Sequence, residues 1–327
     1  MSPLLNSRAK GAIWGVCVAD ALGGPIQFQH AGTFEPITTL RYVAPFHQPA
    51  GSYSDDGSMT LALACSFSKS EMQYNHTLSI QYFVEWLTNG SFSTVNHSWD
   101  VGRSTRTSLR QWIKYGMQEG NFELAQTMVT GALDYEEFSG NGSLMRIVPI
   151  GVVYWYDSTL ARKVARRHSQ ITHPSLACVE ACEAYTELVY LPLTFLSGET
   201  KKQLFHALSV FPFTHPALKM RISLYRYRTI NDWKIKAPSD MTSSGWVVDT
   251  LECALWAFFK YDTWKDGALA VVNLGGDSDT AGAVYGGLAG SFYGFDTIPD
   301  EWVAGMQNKE FIGSIADTLS DGIACDS

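Results

Sequence analysis

Residues 281–290 read AGAVYGGLAG. A helix made of such small residues buries little apolar surface through its own side chains. It is stable only where other helices close on its backbone. Ala281, Gly282, Gly286, Gly287, Ala289 and Gly290 therefore call for close helix–helix contact in the middle of a core. The turn that opens this segment, NLGGDSDT (273–280), carries Asp277 and Asp279 two positions apart.

The rest of the chain has helical periodicity nearly throughout. GSMTLALACSFSKS presents Met59, Ala62, Leu63 and Phe67 along one side, with Ser54 or Asp56 in place to cap it. HTLSIQYFVEWL spaces Ile80, Phe83 and Leu87 helically, and STRTSLRQWIKYG does the same with Leu109, Trp112 and Ile113, Gly116 serving as a stop. PSLACVEACEAYTELVYL starts with a proline in its first turn. GWVVDTLECALWAFFKY reads as an amphipathic helix with Val248, Leu251, Leu255 and Phe258 on one side. The best strand pattern is TTLRYVA, and it is short. No linker, charge run or fixed-period repeat divides the sequence. The expectation is one all-α domain over residues 1–327, with a polar insert near 212–245.

Hydrophobic residues make up 46% of the 327 residues and charged residues 17%, which suits a large core and excludes disorder. The net charge is 24 − 32 = −8, which argues against generic binding to nucleic acid or to an anionic membrane. The start of the chain has no apolar run behind a basic region, and no segment has the length of a membrane span. The six cysteines lie mostly in apolar helical contexts and read as reduced packing residues, which implies a cytoplasmic protein.

Four polar turns interrupt the helices: GSYSDDGSMT with Ser54, Asp55 and Asp56; SWDVGRSTR with Asp100; SGNGSLMR (139–146); and NLGGDSDT. A helix start needs one capping carboxylate, and two of these turns bring a second. Clustered carboxylates repel unless a cation neutralises them. Asp, Ser and Thr oxygens suit Mg²⁺, Mn²⁺ or Ca²⁺ rather than zinc. If the two acidic turns meet, four carboxylates suffice for a pair of divalent ions. Gly140, Asn141, Gly142 and Ser143 offer backbone N–H groups at a helix start, a geometry that cradles phosphate and equally that of an ordinary helix-opening turn.

Taken together and in this order, the pieces VADALGGPIQF (18–28), GSYSDDGSMTLALA (51–64), WDVGRSTRTSL (99–109), GNGSLMRIVPIG (140–151), THPS (172–175) and NLGGDSDTAGAVYGGLAG (273–290) resemble the ADP-ribosylglycohydrolase family over almost the whole chain. The resemblance implies an all-α fold around a binuclear Mg²⁺ centre, with Mn²⁺ as the alternative. It places Ser54, Asp55, Asp56, Asp277, Asp279 and Thr280 as metal ligands. It places Asp100 at the edge of the active site, and Gly102, Gly140, Asn141, Gly142, Ser143 and His173 against the substrate. The implied chemistry is hydrolysis at the anomeric carbon of the distal ribose, through an oxocarbenium-like transition state. The implied partner is an ADP-ribosylated protein, arginine-linked in preference, or a small ADP-ribosyl compound, acted on by a monomer.

Two positions depart from the family pattern. A glutamate common in the first motif is Gln27, which cannot act as a carboxylate base, leaving Asp56 and Asp100 for that role. Gly57 stands where Thr or Ser often follows the acidic pair. Gln27 keeps open a second reading, a non-catalytic ADP-ribose binder, beside a third, a hydrolase of another nucleotide compound on the same fold.

Overall fold

The computed structural model describes residues 3–195 and 200–325. Among these the chain forms sixteen α-helices joined by turns and short 3₁₀ or π segments, and its only β pairing is in isolated bridges. The first eight are α1 (Pro3–Gly23), α2 (Asp55–Lys69), α3 (His76–Asn89), α4 (Arg103–Gln111), α5 (Phe122–Leu133), α6 (Val148–Val153), α7 (Ser158–Ser169) and α8 (Leu176–Thr194). The second eight are α9 (Lys201–Val210), α10 (Pro216–Arg221), α11 (Ile230–Lys234), α12 (Val247–Lys260), α13 (Trp264–Val272), α14 (Ser278–Tyr293), α15 (Asp300–Gly305) and α16 (Lys309–Cys325). Polar residues just ahead of many helices start them. Ser54, Asn75, Asn121, Asp157 and Thr263 each accept a hydrogen bond from a backbone N–H in the first turn they cap.

The centre of the molecule is the pair α1 and α14, both buried around nearly their whole circumference. They run antiparallel with their backbones in contact. A β-carbon on Gly15 would sit 2.1 Å from the carbonyl oxygen of Gly286, and one on Gly286 would sit 2.0 Å from that of Gly15. Four residues away in either direction the contact repeats, between Gly11 and Gly290 and between Ala19 and Gly282. This is the close approach that AGAVYGGLAG requires. It brings the C-terminal end of α1 beside the N-terminal end of α14.

Several sequence expectations change at this level. TTLRYVA forms no strand: it lies between Pro36 and Pro45, and its Val43 makes a single bridge to Gln48. Gly116 does not stop a helix, because α4 continues as a π-helical segment to Gln118. Pro174 precedes the helix it was expected to enter, since Ser175 is the N-cap of α8. The face of α12 predicted to be polar is buried too, and Asp249 and Glu252 there pair with Arg221. That pairing also anchors the polar segment, most of which is exposed or half-buried. Residues 212–245 pack onto α12, with Trp233 fully buried and stacked 3.4 Å from Tyr227. Cys17, Cys65, Cys178, Cys182 and Cys253 are free thiols, all but Cys65 buried, and the side chain of Cys325 lies outside the described residues.

Gly15→Ala and Gly286→Ala, which drive a methyl into a backbone carbonyl, are expected to destabilise the protein by about 3 kcal/mol or more. Gly131→Ala in α5, where a β-carbon meets nothing within 4 Å, is expected to stabilise by up to about 1 kcal/mol. Urea unfolding of the three variants checks both signs. Tolerance of the two core substitutions would mean that the helices are not in backbone contact.

Candidate functional site

The joined ends of α1 and α14 and the start of α2 gather six aspartates. Asp20, late in α1, uses Oδ2 to accept from the backbone N–H groups of Ser54 (2.8 Å) and Gly57 (2.9 Å). Ser54 Oγ accepts from Asp56 N and donates to Asp56 Oδ2 at 3.0 Å. The first turn of α2 is thus capped by Ser54 and Asp20, so Asp55 and Asp56 are not needed as caps. At α14 the same holds, for the N-cap Asp277 makes no side-chain cap bond. Its Oδ2 accepts from Asn141 Nδ2 at 2.6 Å instead.

The acids form two layers. Deepest are Asp20, Asp56 and Asp279, at most 1% exposed, each with one oxygen within 4.8 Å of the others. Thr280 Oγ1 reaches Asp56 Oδ2 at 3.5 Å, which joins the α14 turn to the α2 turn. Above them Asp55, Asp100, Asp277 and Thr280 line a cavity of about 400 Å³. Burial pushes the carboxyls of Asp55, Asp56 and Asp279 well above the usual range, and neighbouring aspartates add to the rise. Asp20 is raised to about 7 by burial, against the pull of its two backbone donors. Asp100 is raised by burial as well.

Two loops border the cavity through Gln27 and Asp100. Gln27, 1% exposed, donates from Nε2 to Asp100 Oδ2 at 2.9 Å. Asp100 holds a left-handed backbone at φ 53°, uncommon for a residue with a side chain. The loop of Gln27 is tied to the α14 turn, with Phe28 N donating to Gly276 O (2.6 Å) and Gly276 N donating to Gln29 O (2.8 Å). Gly276 has φ 62°, and a β-carbon there would strike Ser243 O at 2.0 Å, so only glycine fits this turn.

Gly102, Gly140, Asn141, Gly142 and His173 also line the cavity. The GNGS segment is a hydrogen-bonded turn, not the start of a helix: Met145 N donates to Asn141 O, and α6 begins at Val148. Asn141 N donates to Gly245 O, so that N–H is not free for an anion. Ser143 faces the core, where its Oγ accepts from Ser169 Oγ at 2.9 Å and from Cys182 Sγ at 3.4 Å. Cys178 Sγ donates to Gly140 O, so the two cysteines of α8 brace this turn. Arg146, fully buried, donates to Gly142 O at 2.6 Å and to Thr172 Oγ1 at 2.8 Å. The His173 imidazole packs against Gly142 with Nδ1 2.7 Å from Thr172 Oγ1. Burial, with Arg146 nearby, lowers it to about 3, so it is neutral at pH 7.

Of the residues singled out in the sequence, Gln27, Asp55, Asp100, Gly102, Gly140, Asn141, Gly142, His173, Asp277 and Thr280 border one cavity. Ser54, Asp56 and Asp279 lie beneath it. Sequence reasoning gave no role to Asp20, although a lone carboxylate in the apolar run GAIWGVCVADALG was a signal of a buried polar function. Arg146 was missed likewise.

Six buried or half-buried carboxylates with no lysine or arginine ion-paired to them among the described residues do not persist as anions unaided. Oδ1 of Asp20 and Oδ1 of Asp56 are buried and make no hydrogen bond. Oxygen-only donors, several carboxylates and unsatisfied buried oxygens fit a hard divalent cation. In metal-free protein the folded state holds its protons more tightly than the unfolded chain, so stability falls as pH rises from the ordinary carboxylate value of 3.8 through about 7. Thermal melts in EDTA are expected to be lower at pH 8 than at pH 5, and Mg²⁺ is expected to abolish that fall. A melting point in EDTA that climbs with pH would overturn this arrangement of acids.

Comparison with known proteins agrees with this geometry. The model of the ADP-ribosylglycohydrolase family matches residues 1–326. The chain is 30% identical to ADP-ribosylarginine hydrolase Tri1 of Serratia proteamaculans, over 95% of this chain and 78% of that protein. It is 27% identical to the ADP-ribosyl-[dinitrogen reductase] glycohydrolase of Rhodospirillum rubrum, over 94% of this chain and 92% of that one. Its fold matches a solved structure described as an ADP-ribosylglycohydrolase-related protein complex, with a TM-score of 0.79 and 28% identity over 98% of this chain and 99% of that one.

Proposed function

Because the chain belongs to the ADP-ribosylglycohydrolase family, we propose that it removes ADP-ribose from a modified arginine side chain with the help of bound Mg²⁺. The observation that carries this reading is the meeting of the two acidic turns and Asp100 at one cavity. Arginine is favoured over other linkages because a relative 30% identical is named for ADP-ribosylarginine.

Asp55, Asp56, Asp277 and Asp279, with the hydroxyls of Ser54 and Thr280, are the groups that would hold two Mg²⁺ ions, or Mn²⁺ in their place. Such ions supply charge that binds ribose hydroxyls and lowers the pKa of a water. The protein's own residues do the rest. Asp20 anchors the α2 turn through Ser54 N and Gly57 N, and so fixes Asp55 and Asp56. The turn at Gly140–Gly142 and the neutral ring of His173 hold the diphosphate end of the substrate.

Asp100 is the general base. It borders the cavity, whereas Asp56, the other candidate, lies below the wall. Burial raises its pKa above the ordinary carboxylate value, which makes it a stronger base. Gln27 does not take the place of a carboxylate. Its amide donates to Asp100 Oδ2 and orients the carboxylate that accepts the proton of the attacking water. The new bond forms between the water oxygen and the anomeric carbon, the carbon–nitrogen bond to the guanidine breaks, and arginine leaves.

An ADP-ribose release assay on arginine-, serine- and glutamate-linked substrates, with Mg²⁺ and with EDTA, tests the proposal. Release from the arginine linkage is expected with Mg²⁺ only. Asp55→Ala is expected to lose turnover, and Asp100→Asn to lose roughly 10²–10⁴-fold in kcat. Turnover by Asp55→Ala in EDTA would refute it. Gln27 favours the alternative of a non-catalytic ADP-ribose binder, which predicts ADP-ribose binding without release from any linkage.

A further inference from the structure

Phe28 is out of place by every local criterion. It is 65% exposed, it borders the cavity, and it holds a left-handed backbone at φ 67°. A bulky side chain in that region is a conformational outlier, and such outliers collect at functional sites. The strain is held in place by the bond from Phe28 N to Gly276 O, which ties the residue to the α14 turn. Its ring meets Phe46 edge-on at 6.4 Å, and Phe46 meets Trp99 at 5.3 Å. Trp99 is 6% exposed and Phe46 half-buried, so the three rings form a shelf that rises from the core into solvent.

The shelf is placed by residues that border the cavity. Phe28 follows Gln27, Trp99 precedes Asp100, and Gln27 and Asp100 are hydrogen-bonded to each other. Gly140, Asn141, Gly142 and His173 line the same cavity. ADP-ribose is enclosed by the cavity, whereas the side chain that carries it belongs to another protein and enters from solvent. Phe28 stands at that entrance. Aromatic faces in an acidic surround favour a planar cation, which stacks on the ring and is drawn to its negative face.

We propose that Phe28, backed by Phe46 and Trp99, is the specificity-determining residue that stacks on the guanidinium of the ADP-ribosylated arginine. This rests on the arginine-linked reading above. A serine-linked substrate offers neither plane nor charge to the shelf, so the discrimination comes from the acceptor side and not from ADP-ribose.

Phe28→Gly, Phe28→Leu and Phe28→Tyr test it against wild type, with ADP-ribosylarginine and ADP-ribosylserine as substrates and calorimetric binding of ADP-ribose alongside. Glycine removes the ring and relieves the backbone strain, so it separates the ring from the loop. Phe28→Gly and Phe28→Leu are expected to lose about tenfold in kcat/KM on the arginine substrate, mostly through KM, with ADP-ribose affinity unchanged and Phe28→Tyr close to wild type. Full activity of Phe28→Gly on arginine, or a parallel loss of ADP-ribose affinity, overturns the proposal while leaving the arginine reading intact. Failure of wild type on the arginine substrate overturns that reading, and this proposal with it.

Discussion

The contact on which the rest depends is that of two backbones. α1 and α14 touch through Gly11, Gly15, Ala19, Gly282, Gly286 and Gly290, with nothing larger than the Ala19 methyl at these contacts. Packing at that distance tolerates no added methyl, so register and orientation are set together. With the register set, the end of α1 delivers Asp20 and the start of α14 delivers Asp277, Asp279 and Thr280 to one point. α2 joins through the two backbone donors that Asp20 accepts. A rigid helix pair of this kind holds a constellation of ligands more closely than loops alone would.

The electrostatics of that point are unfavourable without a cation. The N-termini of α2 and α14 face the acids and offer roughly 0.3–1 kcal/mol each through their dipoles. Burial of a carboxylate costs several kcal/mol apiece. The dipoles therefore cannot balance the cluster, and the raised carboxyl pKa values are the visible result. A divalent cation held by these oxygens would offset the cost. Arg146 does not serve as the counter-ion. It is spent on Gly142 O, Thr172 and His168, where it props the turn at Gly140–Gly142.

Much of this was legible in the residues. Hydrophobic spacing at 3.6 residues located α2, α3, α4, α8 and α12, because side-chain period reports the face that is buried, but it did not single out α1 or α16. The acidic pairs stood out because a cap needs one carboxylate and each turn had two. What failed were inferences about short segments in isolation. TTLRYVA alternates like a strand, but no partner strand exists among the described residues and two prolines flank it. SGNGS looked like a helix start, yet its Asn141 N–H is taken by Gly245, over a hundred residues away in sequence. Ser143 faces inward, where Cys182 of α8 and Ser169 donate to its hydroxyl. The polar segment 212–245 is held down by an ion pair between Arg221 and the start of α12.

The sequence by itself determined the helical class, the family and the identity of the acidic turns, since those properties rest on local spacing and on motifs a few residues long. Only the tertiary structure decided that Asp20 shares the cluster, that Gln27 holds Asp100 and that Asn141 holds Asp277. Those pairs are separated by 34, 73 and 136 residues, taking Asp20 with Ser54 in the first case. A hydrogen bond across such a distance leaves no period in the chain. It exists because two helices pack closely enough to bring their ends, and the loops that follow them, within 3 Å of one another.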